Sequence, residues 1–233
     1  MGCFMDIKYI KAFNDNYIWT IEKGGKVLVV DPGDAGPVID YLRGRNLDYI
    51  LLTHKHMDHV GGLDELKIKY GPKVFGPRET SEYNDVTLRD GDEFDLLGEN
   101  FKVISTGGHT DDHISYLVDD NLFCGDALFL AGCGRVFTKD YKKSYEGLNK
   151  LKSLADDTLV YPAHEYSLAN LEFAKSVISN EDLDREYERV KKLREEDKIT
   201  LPTTIGKEKK INPFLLARDL DEFIDFRNKK DNF

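Results

Sequence analysis

Short apolar runs, separated by turns that contain glycine or aspartate, recur through the first two-thirds of the chain. Residues 17–21 and 27–30 flank Lys23-Gly24-Gly25-Lys26. Two such runs around a Gly-Gly pair predict a β-hairpin. Similar runs predict further strands at residues 49–52, 73–75, 93–97, 101–104, 114–118 and 122–124.

Helical spacing replaces this pattern in the last third of the chain. Apolar residues recur every three or four positions from residue 168, and residues 181–198 predict a long charged helix with one apolar face. Residues 214–226 are also predicted to be mostly helical. Earlier helices are expected over residues 37–42 and after Gly61. We therefore expect an α/β domain over residues 1–166 and a small helical domain over residues 167–233.

Composition and charge narrow the class of protein. A chain of 233 residues predicts one large domain, or one domain with a small appendage, and 40% hydrophobic residues suffice for a core. The net charge of −10 argues against binding to nucleic acid. No apolar run reaches the roughly 18–20 residues of a membrane span, and no apolar signal segment is apparent. The charged run at residues 207–210 is interpreted as solvated surface.

The three cysteines, Cys3, Cys124 and Cys133, form no Cys-x-x-Cys pair. An odd number of cysteines without a signal segment predicts free thiols and a cytoplasmic location. Cys124 is expected to be a buried strand residue. A nucleophilic role for Cys133 is disfavoured because the spacing places no general base beside it.

Potential metal ligands are most concentrated directly after the apolar run at residues 49–52. His54, His56, Asp58 and His59 fall there within six residues. Side chains two apart in an extended segment share a face, so His54 and His56 can reach one ion. Asp58 and His59 are adjacent, so a turn must redirect them. Four ligands placed in this way suit two ions better than one.

The other histidines are His109, His113 and His164, and a further carboxylate, Asp126, ends another apolar run. When strand ends are followed by glycine, histidine or aspartate, several strands can deliver ligands to one edge of a sheet. The sequence therefore predicts a metal centre.

The pattern His-x-His-x-Asp-His, followed by a distant His, Asp and His, resembles the metallo-β-lactamase superfamily. Further motifs resemble its glyoxalase II (hydroxyacylglutathione hydrolase) family, and they lie at residues 14–17, 30–33, 125–129, 131–135, 163–166 and 227–233. The resemblance implies an αββα sandwich with a small C-terminal helical domain. It also implies hydrolysis of the thioester S-D-lactoylglutathione to D-lactate and glutathione by a hydroxide bound to two metal ions, a step of methylglyoxal detoxification.

The same resemblance implies a ligand set. One ion is expected on His54, His56 and His109, and the second on Asp58, His59 and His164, with Asp126 as the bridge. Asp58 and Asp126 are expected to be catalytic as well. His113 is expected to support the site without binding metal, and the family usually has glycine where this chain has Asp112. Asp31 either helps to hold the metal loop or forms a simple turn.

The substrate-binding residues that the resemblance implies are Arg135, Phe137, Tyr166, Arg227 and Lys230. Phe137 stands where some members have tyrosine. The ions are expected to be zinc, with iron or manganese as alternatives, because mixed imidazole and carboxylate ligands accept all three. The expected partner is a small-molecule glutathione thioester, with no nucleic acid and no membrane, and a monomer is expected.

Three alternatives remain open. A persulfide dioxygenase would use the same motif with a single iron. Another hydrolase of this fold, such as a β-lactamase or a lactonase, would share the metals but would not need Arg227 and Lys230. A third possibility is a protein whose metals only brace the fold. A thiol other than glutathione also remains possible as the carrier.

Overall fold

A computed structural model describes residues 4–233, so Cys3 lies outside the described part of the chain. The chain divides into two compact units. The first comprises Met1–Ser105 and Asp112–Asp119, and the second comprises Thr106–Asp111 and Asp120–Phe233. These units do not coincide with the expected domains, residues 1–166 and 167–233. The expected division therefore stays a prediction.

A six-stranded sheet forms the larger part of the first unit, with strand order β1-β2-β3-β4-β5-β6. β1 to β3 are antiparallel, and β3 to β6 run parallel to one another. The strands are β1 (Asp6–Ala12), β2 (Asn16–Lys23), β3 (Lys26–Val30), β4 (Tyr49–Leu51), β5 (Lys73–Gly76) and β6 (Val86–Thr87). The helices are α1 (Ala35–Leu42), α2 (Met57–Val60) and α3 (Leu63–Tyr70), with a 3-10 turn at Arg78–Thr80.

Apolar side chains of this sheet and its helices form one core, which includes Val29, Ile50, Leu52 and Leu63. The predicted hairpin is confirmed, since β2 pairs with β3 around Gly24 and Gly25. α1 begins two residues earlier than expected, because the Asp34 side chain accepts a hydrogen bond from the Gly36 amide and caps the helix there.

Three antiparallel strands complete the first unit: β7 (Glu93–Leu96), β8 (Glu99–Ser105) and β9 (Ile114–Val118). The Tyr116 hydroxyl on β9 donates to the carbonyl of Leu52, and the Ile114 amide donates to the carbonyl of Thr53. These bonds fix the backbone directly after β4, where the histidine cluster begins.

The second unit contains a parallel pair, β10 (Asn121–Gly125) and β13 (Leu159–Pro162), with β14 (Thr203–Thr204) antiparallel to β13. A separate small hairpin joins β11 (Leu128–Phe129) to β12 (Gly132–Cys133). Its helices are α4 (Tyr141–Lys152), α5 (Ser167–Val177), α6 (Glu181–Glu195), α7 (Ile205–Ile211), α8 (Pro213–Leu216) and α9 (Leu220–Asp231).

The helical character after residue 167 is confirmed, with two corrections. The expected helix over residues 214–226 is interrupted, because α8 ends at Leu216 and Asp219 caps the start of α9. The interpretation of residues 207–210 as solvated surface is wrong for Glu208, whose side chain is fully buried. In residues 4–233, no helix combines the length and the apolar character that a membrane crossing requires.

Candidate metal centre

The histidine cluster of the first unit forms the turn between β4 and α2. His56 occupies the N-cap of α2, and Asp58 and His59 lie within its single turn. His54 and His59 are almost completely buried. We call residues 53–59 the metal loop.

Asp31 ties this loop to the end of β3. Its Oδ1 accepts a hydrogen bond from the Thr53 amide at 2.7 Å, and its Oδ2 accepts one from the Thr53 hydroxyl at 2.6 Å. Its Oδ2 also lies 3.0 Å from His59 Nδ1. Of the two interpretations of Asp31, the structure supports the one in which it holds the metal loop.

The hydrogen bonds assign the protons on two imidazoles. Because the Asp31 carboxylate can only accept, His59 Nδ1 carries a proton and the Nε2 lone pair faces the Asp58 carboxylate, with Nε2 and Oδ2 3.4 Å apart. The Thr53 hydroxyl donates to Asp31 and therefore accepts from His54 Nδ1 at 3.0 Å. His54 Nε2 then presents its lone pair. Bonds of this kind fix the tautomer of metal-binding histidines.

Two residues outside the metal loop, Gly33 and Asn16, contact Asp58. A Cβ on Gly33 would lie 1.8 Å from the Asp58 carbonyl oxygen, so only glycine fits in the Asp31-Pro32-Gly33 turn. The Asn16 side-chain amide donates to Asp58 Oδ2 at 3.1 Å and orients that carboxylate.

Donor atoms converge within the first unit. His54 Nε2 lies 3.0 Å from His56 Nδ1. One donor atom from each of Asp31, His54 and His59 lies within 4.8 Å of the others. The buried His113 ring stacks on His54, with centroids 4.9 Å apart, which agrees with a supporting position. Asp112, the departure from the family pattern, accepts hydrogen bonds from Arg78 at 2.9 and 3.1 Å.

The second unit brings His109, Asp126 and His164 together. Asp126 follows β10, and its Oδ2 lies 3.4 Å from His109 Nε2 while its Oδ1 lies 3.3 Å from His164 Nε2. Each oxygen of this carboxylate therefore faces one imidazole nitrogen. His109 Nδ1 donates to the Arg135 carbonyl at 2.9 Å, which leaves its Nε2 to face Asp126.

The residues before Arg135 form a tightly packed segment. A Cβ on Gly134 would lie 2.1 Å from the Asp126 carbonyl oxygen and 2.9 Å from His109 Nδ1. Cys133 is buried, and burial raises the pKa of its thiol. Cys124 is a buried strand residue, as predicted, and burial raises its thiol pKa as well. Neither cysteine carries the thiolate that a nucleophile requires.

The basic residues expected to bind substrate lie in different environments. The Arg135 side chain is about half exposed and lies over the Phe137 ring, and its Nε is 3.3 Å from Asp231 Oδ1. Arg227 is buried; it donates to the Cys133 carbonyl at 2.9 Å and to Asp231 Oδ1 at 2.6 Å. Arg227 therefore braces the segment that leads to Arg135.

Lys230 and Tyr166 complete the expected substrate-binding residues. Lys230 Nζ donates to the Ala169 carbonyl at 3.1 Å, and burial, together with the nearby Arg227 charge, lowers the pKa of its ammonium group. The Tyr166 ring stacks on His164, with centroids 4.6 Å apart and planes 7° apart. Phe137 is exposed and meets the His109 ring edge-on at 5.3 Å.

Sequence reasoning missed several residues that position these groups. They are Thr53, which joins Asp31 to His54, and Asn170, Glu208, Asn212 and Asp231 in the second unit. Asp231 falls inside the C-terminal motif, so its neighbours Arg227 and Lys230 were a usable signal. The others stand outside any metal-ligand spacing.

The donor sets of both units fit transition-metal binding. Imidazole nitrogens with aligned tautomers and carboxylate oxygens are the ligands that divalent ions such as zinc, iron and manganese accept. Histidine and aspartate clusters that directly follow strand ends are typical of metal-dependent enzymes of the metallo-β-lactamase type.

Comparison with known proteins places the chain more narrowly. The family model described as "Metallo-beta-lactamase superfamily" matches residues 13–84 and 75–164, and the model described as "Hydroxyacylglutathione hydrolase C-terminus" matches residues 165–233. A hydroxyacylglutathione hydrolase of Haemophilus ducreyi is 46% identical over 98% of this chain and 100% of its own length. One from Actinobacillus pleuropneumoniae is 44% identical with the same coverage. The chain belongs to the hydroxyacylglutathione hydrolase family.

Solved structures confirm the fold class. The crystal structure of ETHE1 from Myxococcus xanthus has a TM-score of 0.75 and 27% identity, and covers 96% of this chain and 90% of that one. A metallo-β-lactamase from Staphylococcus aureus has a TM-score of 0.71 at 20% identity, over 99% of this chain and 72% of its own, and supports the fold alone.

Proposed function

We propose that this chain hydrolyses S-D-lactoylglutathione to D-lactate and glutathione with two divalent ions per chain. The observation that carries the proposal is the 46% identity, over nearly the whole chain, to a hydroxyacylglutathione hydrolase. The placement of Asp126 between the Nε2 atoms of His109 and His164 supports a centre with a shared carboxylate.

The ligand assignment is part of this proposal. As in the family, His54, His56 and His109 would hold one ion, Asp58, His59 and His164 would hold the other, and Asp126 would be a ligand of both. Family membership supports the assignment, and so do the aligned tautomers of His54, His59 and His109.

When bound, such ions make hydroxide available near neutral pH and polarise the thioester carbonyl. The chain's own residues prepare for this. Asp31 keeps a proton on His59 Nδ1, and the Arg135 carbonyl keeps one on His109 Nδ1, so both Nε2 lone pairs stay available. The leaving thiolate has a conjugate-acid pKa of roughly 8–9, so it departs without a dedicated proton donor.

Glutathione carries two carboxylates and one ammonium group, so charge recognition is expected. The Arg135 side chain is about half exposed and can reach a carboxylate. Lys230, in the C-terminal motif, is partly buried and close to the Arg227 charge. An anion would relieve the repulsion between Lys230 and Arg227. Arg227 acts mainly through the Cys133 carbonyl, since its side chain is buried.

A thioester assay with a thiol-trapping dye tests the proposal. Wild-type protein should release glutathione from S-D-lactoylglutathione, and a chelator should abolish the release. Lys230→Met should raise KM about tenfold with little change in kcat, the effect of losing one charge-assisted hydrogen bond. Lys229→Met is the matched control, because Lys229 pairs on the surface with Asp225. No release by metal-loaded wild-type protein would refute the proposed activity.

Four further proposals concern the native metal, the oligomeric state, the domain boundary and the location in the cell. We propose zinc as the native ion and a monomer as the working form. The division at residues 166 and 167 is supported by the two family models, which meet at residues 164 and 165. A cytoplasmic location is supported by Cys124 and Cys133, which are both free thiols.

A further inference from the structure

Glu208 is a fully buried carboxylate on α7 that the proposed reaction does not use. Its Oε2 accepts a hydrogen bond from the Ala131 amide at 2.8 Å and one from the Asn212 side chain at 3.0 Å. Its Oε1 accepts one from the Thr203 hydroxyl at 2.7 Å. A buried carboxylate needs such donors, because an unpaired charge in the interior is strongly unfavourable.

The Ala131 amide belongs to the tight turn between β11 and β12. Ala131 has φ of 51°, a left-handed conformation that side chains other than glycine rarely adopt. A residue in this conformation persists only where its surroundings hold it there. The bond to Glu208 is one such constraint.

Other buried side chains bind the rest of this turn. Asn212 Nδ2 donates to the carbonyls of Phe129 at 3.2 Å and Gly132 at 2.9 Å, and Asn170 Nδ2 donates to the carbonyl of Leu130 at 3.2 Å. With the Ala131 amide on Glu208, four consecutive residues each have a backbone group bonded to a buried side chain from the helices after residue 167. We call residues 129–132 the clamped turn.

The clamped turn leads directly into Cys133-Gly134-Arg135. The Arg135 carbonyl accepts the proton of His109 Nδ1 at 2.9 Å, and the Arg135 guanidinium extends to solvent over Phe137. Gly134 packs against Asp126 and His109 with no room for a side chain. A shift of the turn would therefore displace both a substrate-binding group and the carbonyl that orients a metal ligand.

We infer that Glu208 is a positioning residue that fixes the clamped turn and, through it, the placement of Arg135 and the orientation of His109. The inference rests on the proposed function for the role of Arg135, but the fixing of the turn can be measured without substrate. In this view the C-terminal helices act on the site by clamping a turn as well as by supplying basic side chains.

The test compares Glu208→Gln with Glu208→Ala. The glutamine oxygen can still accept from Ala131 and Asn212, and its amide can donate to the Thr203 hydroxyl, which accepts equally well. Alanine removes all three acceptor contacts. If Glu208→Ala does not fold, Glu208→Leu fills the volume without offering an acceptor and serves in its place.

Three quantities are measured on the full chain: hydrogen exchange of the Ala131 amide, metal affinity by chelator competition, and KM for S-D-lactoylglutathione. The alanine variant should exchange at least tenfold faster, bind metal more weakly and show KM about five- to tenfold higher, whereas the glutamine variant stays within about twofold of wild type. Glu186→Ala is the control, a buried glutamate bonded to Arg189 and Lys207 and not to the turn.

Unchanged Ala131 exchange in folded Glu208→Ala or Glu208→Leu would overturn the inference. Equal impairment of the glutamine and alanine variants would also overturn it, because the hydrogen bonds that glutamine keeps would then not hold the turn in place. If wild-type protein fails to cleave the thioester, the proposed function fails, and the exchange result still decides the role of Glu208.

Discussion

The metal loop and the clamped turn are both held by buried polar side chains, but those side chains come from different parts of the sequence. Asp31 and Asn16 hold the metal loop from at most 42 positions away. Asn170 holds the clamped turn from 40 positions away, but Glu208 and Asn212 hold it from 77 to 83 positions away, and Arg227 bonds Cys133 across 94.

The two segments are therefore positioned in different ways: the metal loop by strand pairing and the clamped turn by helix packing. Asp31 follows β3 and Thr53 follows β4, and these strands pair in parallel, so the contact between the two residues follows from the sheet itself. Glu208 lies on α7, and Ala131 lies in the turn between β11 and β12. Their contact depends on how α7 packs, which makes the clamped turn dependent on the C-terminal helices.

The largest expected effect comes from Asn212→Asp, which removes the clamp and leaves the metal loop intact. The new carboxylate would face Glu208 and the carbonyls of Phe129 and Gly132, all of them acceptors. We expect a loss of about 3–5 kcal/mol in the free energy of unfolding at pH 8, measured by urea denaturation. Asn228→Asp, on the exposed face of α9, should change it by less than about 0.5 kcal/mol. A loss of similar size in both variants would contradict the clamp.

The next effect is a pH dependence of stability that Glu208 contributes. Burial raises the pKa of this carboxyl from 4.5 to about 7. Between these values the folded chain binds the proton and the unfolded chain releases it, so the Glu208 contribution to stability falls as pH rises from about 4.5 to 7. The fall amounts to roughly 2–4 kcal/mol. Glu208→Gln should lack this slope in unfolding measured across the range; parallel curves for both proteins would rule it out.

Asp31→Asn tests the metal loop and leaves the clamped turn alone. Asparagine tolerates the φ of 52° at this position, so the fold should persist. Its amide group would place a donor where His59 Nδ1 and the Thr53 hydroxyl need an acceptor. We expect metal affinity to fall about 10- to 100-fold in chelator competition. Asp34→Asn, which keeps the cap of α1, should bind metal as wild type does; equal affinity in both variants would remove Asp31 from the site.

The smallest expected effect is a gain in substrate affinity at position 137. Phe137 is exposed beside Arg135 and His109, and tyrosine there would add one hydroxyl. Phe137→Tyr should lower KM for S-D-lactoylglutathione by roughly two- to tenfold, the value of one hydrogen bond. Phe4→Tyr, at an exposed position in the first unit, is the control. An unchanged KM would mean that residue 137 does not contact the substrate.

Much of the fold and part of the site could be predicted from the sequence. The hairpin of β2 and β3, the strand before His54 and the helical last third follow from local periodicity and turn residues. α4 was missed because Tyr141–Lys152 is rich in lysine and contains Gly147, so only Leu148 and Leu151 mark its buried face. Glu208 was wrongly predicted to be exposed. A run of charged residues does not show that three donors will stabilise one of its carboxylates inside the protein by hydrogen bonds.

The central claim is that two ions shared through Asp126 drive thioester hydrolysis. Its most direct test is a titration of metal-free protein with zinc, in which the initial rate of S-D-lactoylglutathione hydrolysis is measured at each addition. The account predicts that the rate saturates at two equivalents per chain. Saturation at one equivalent, as a mononuclear enzyme would show, or no hydrolysis at any loading would contradict it.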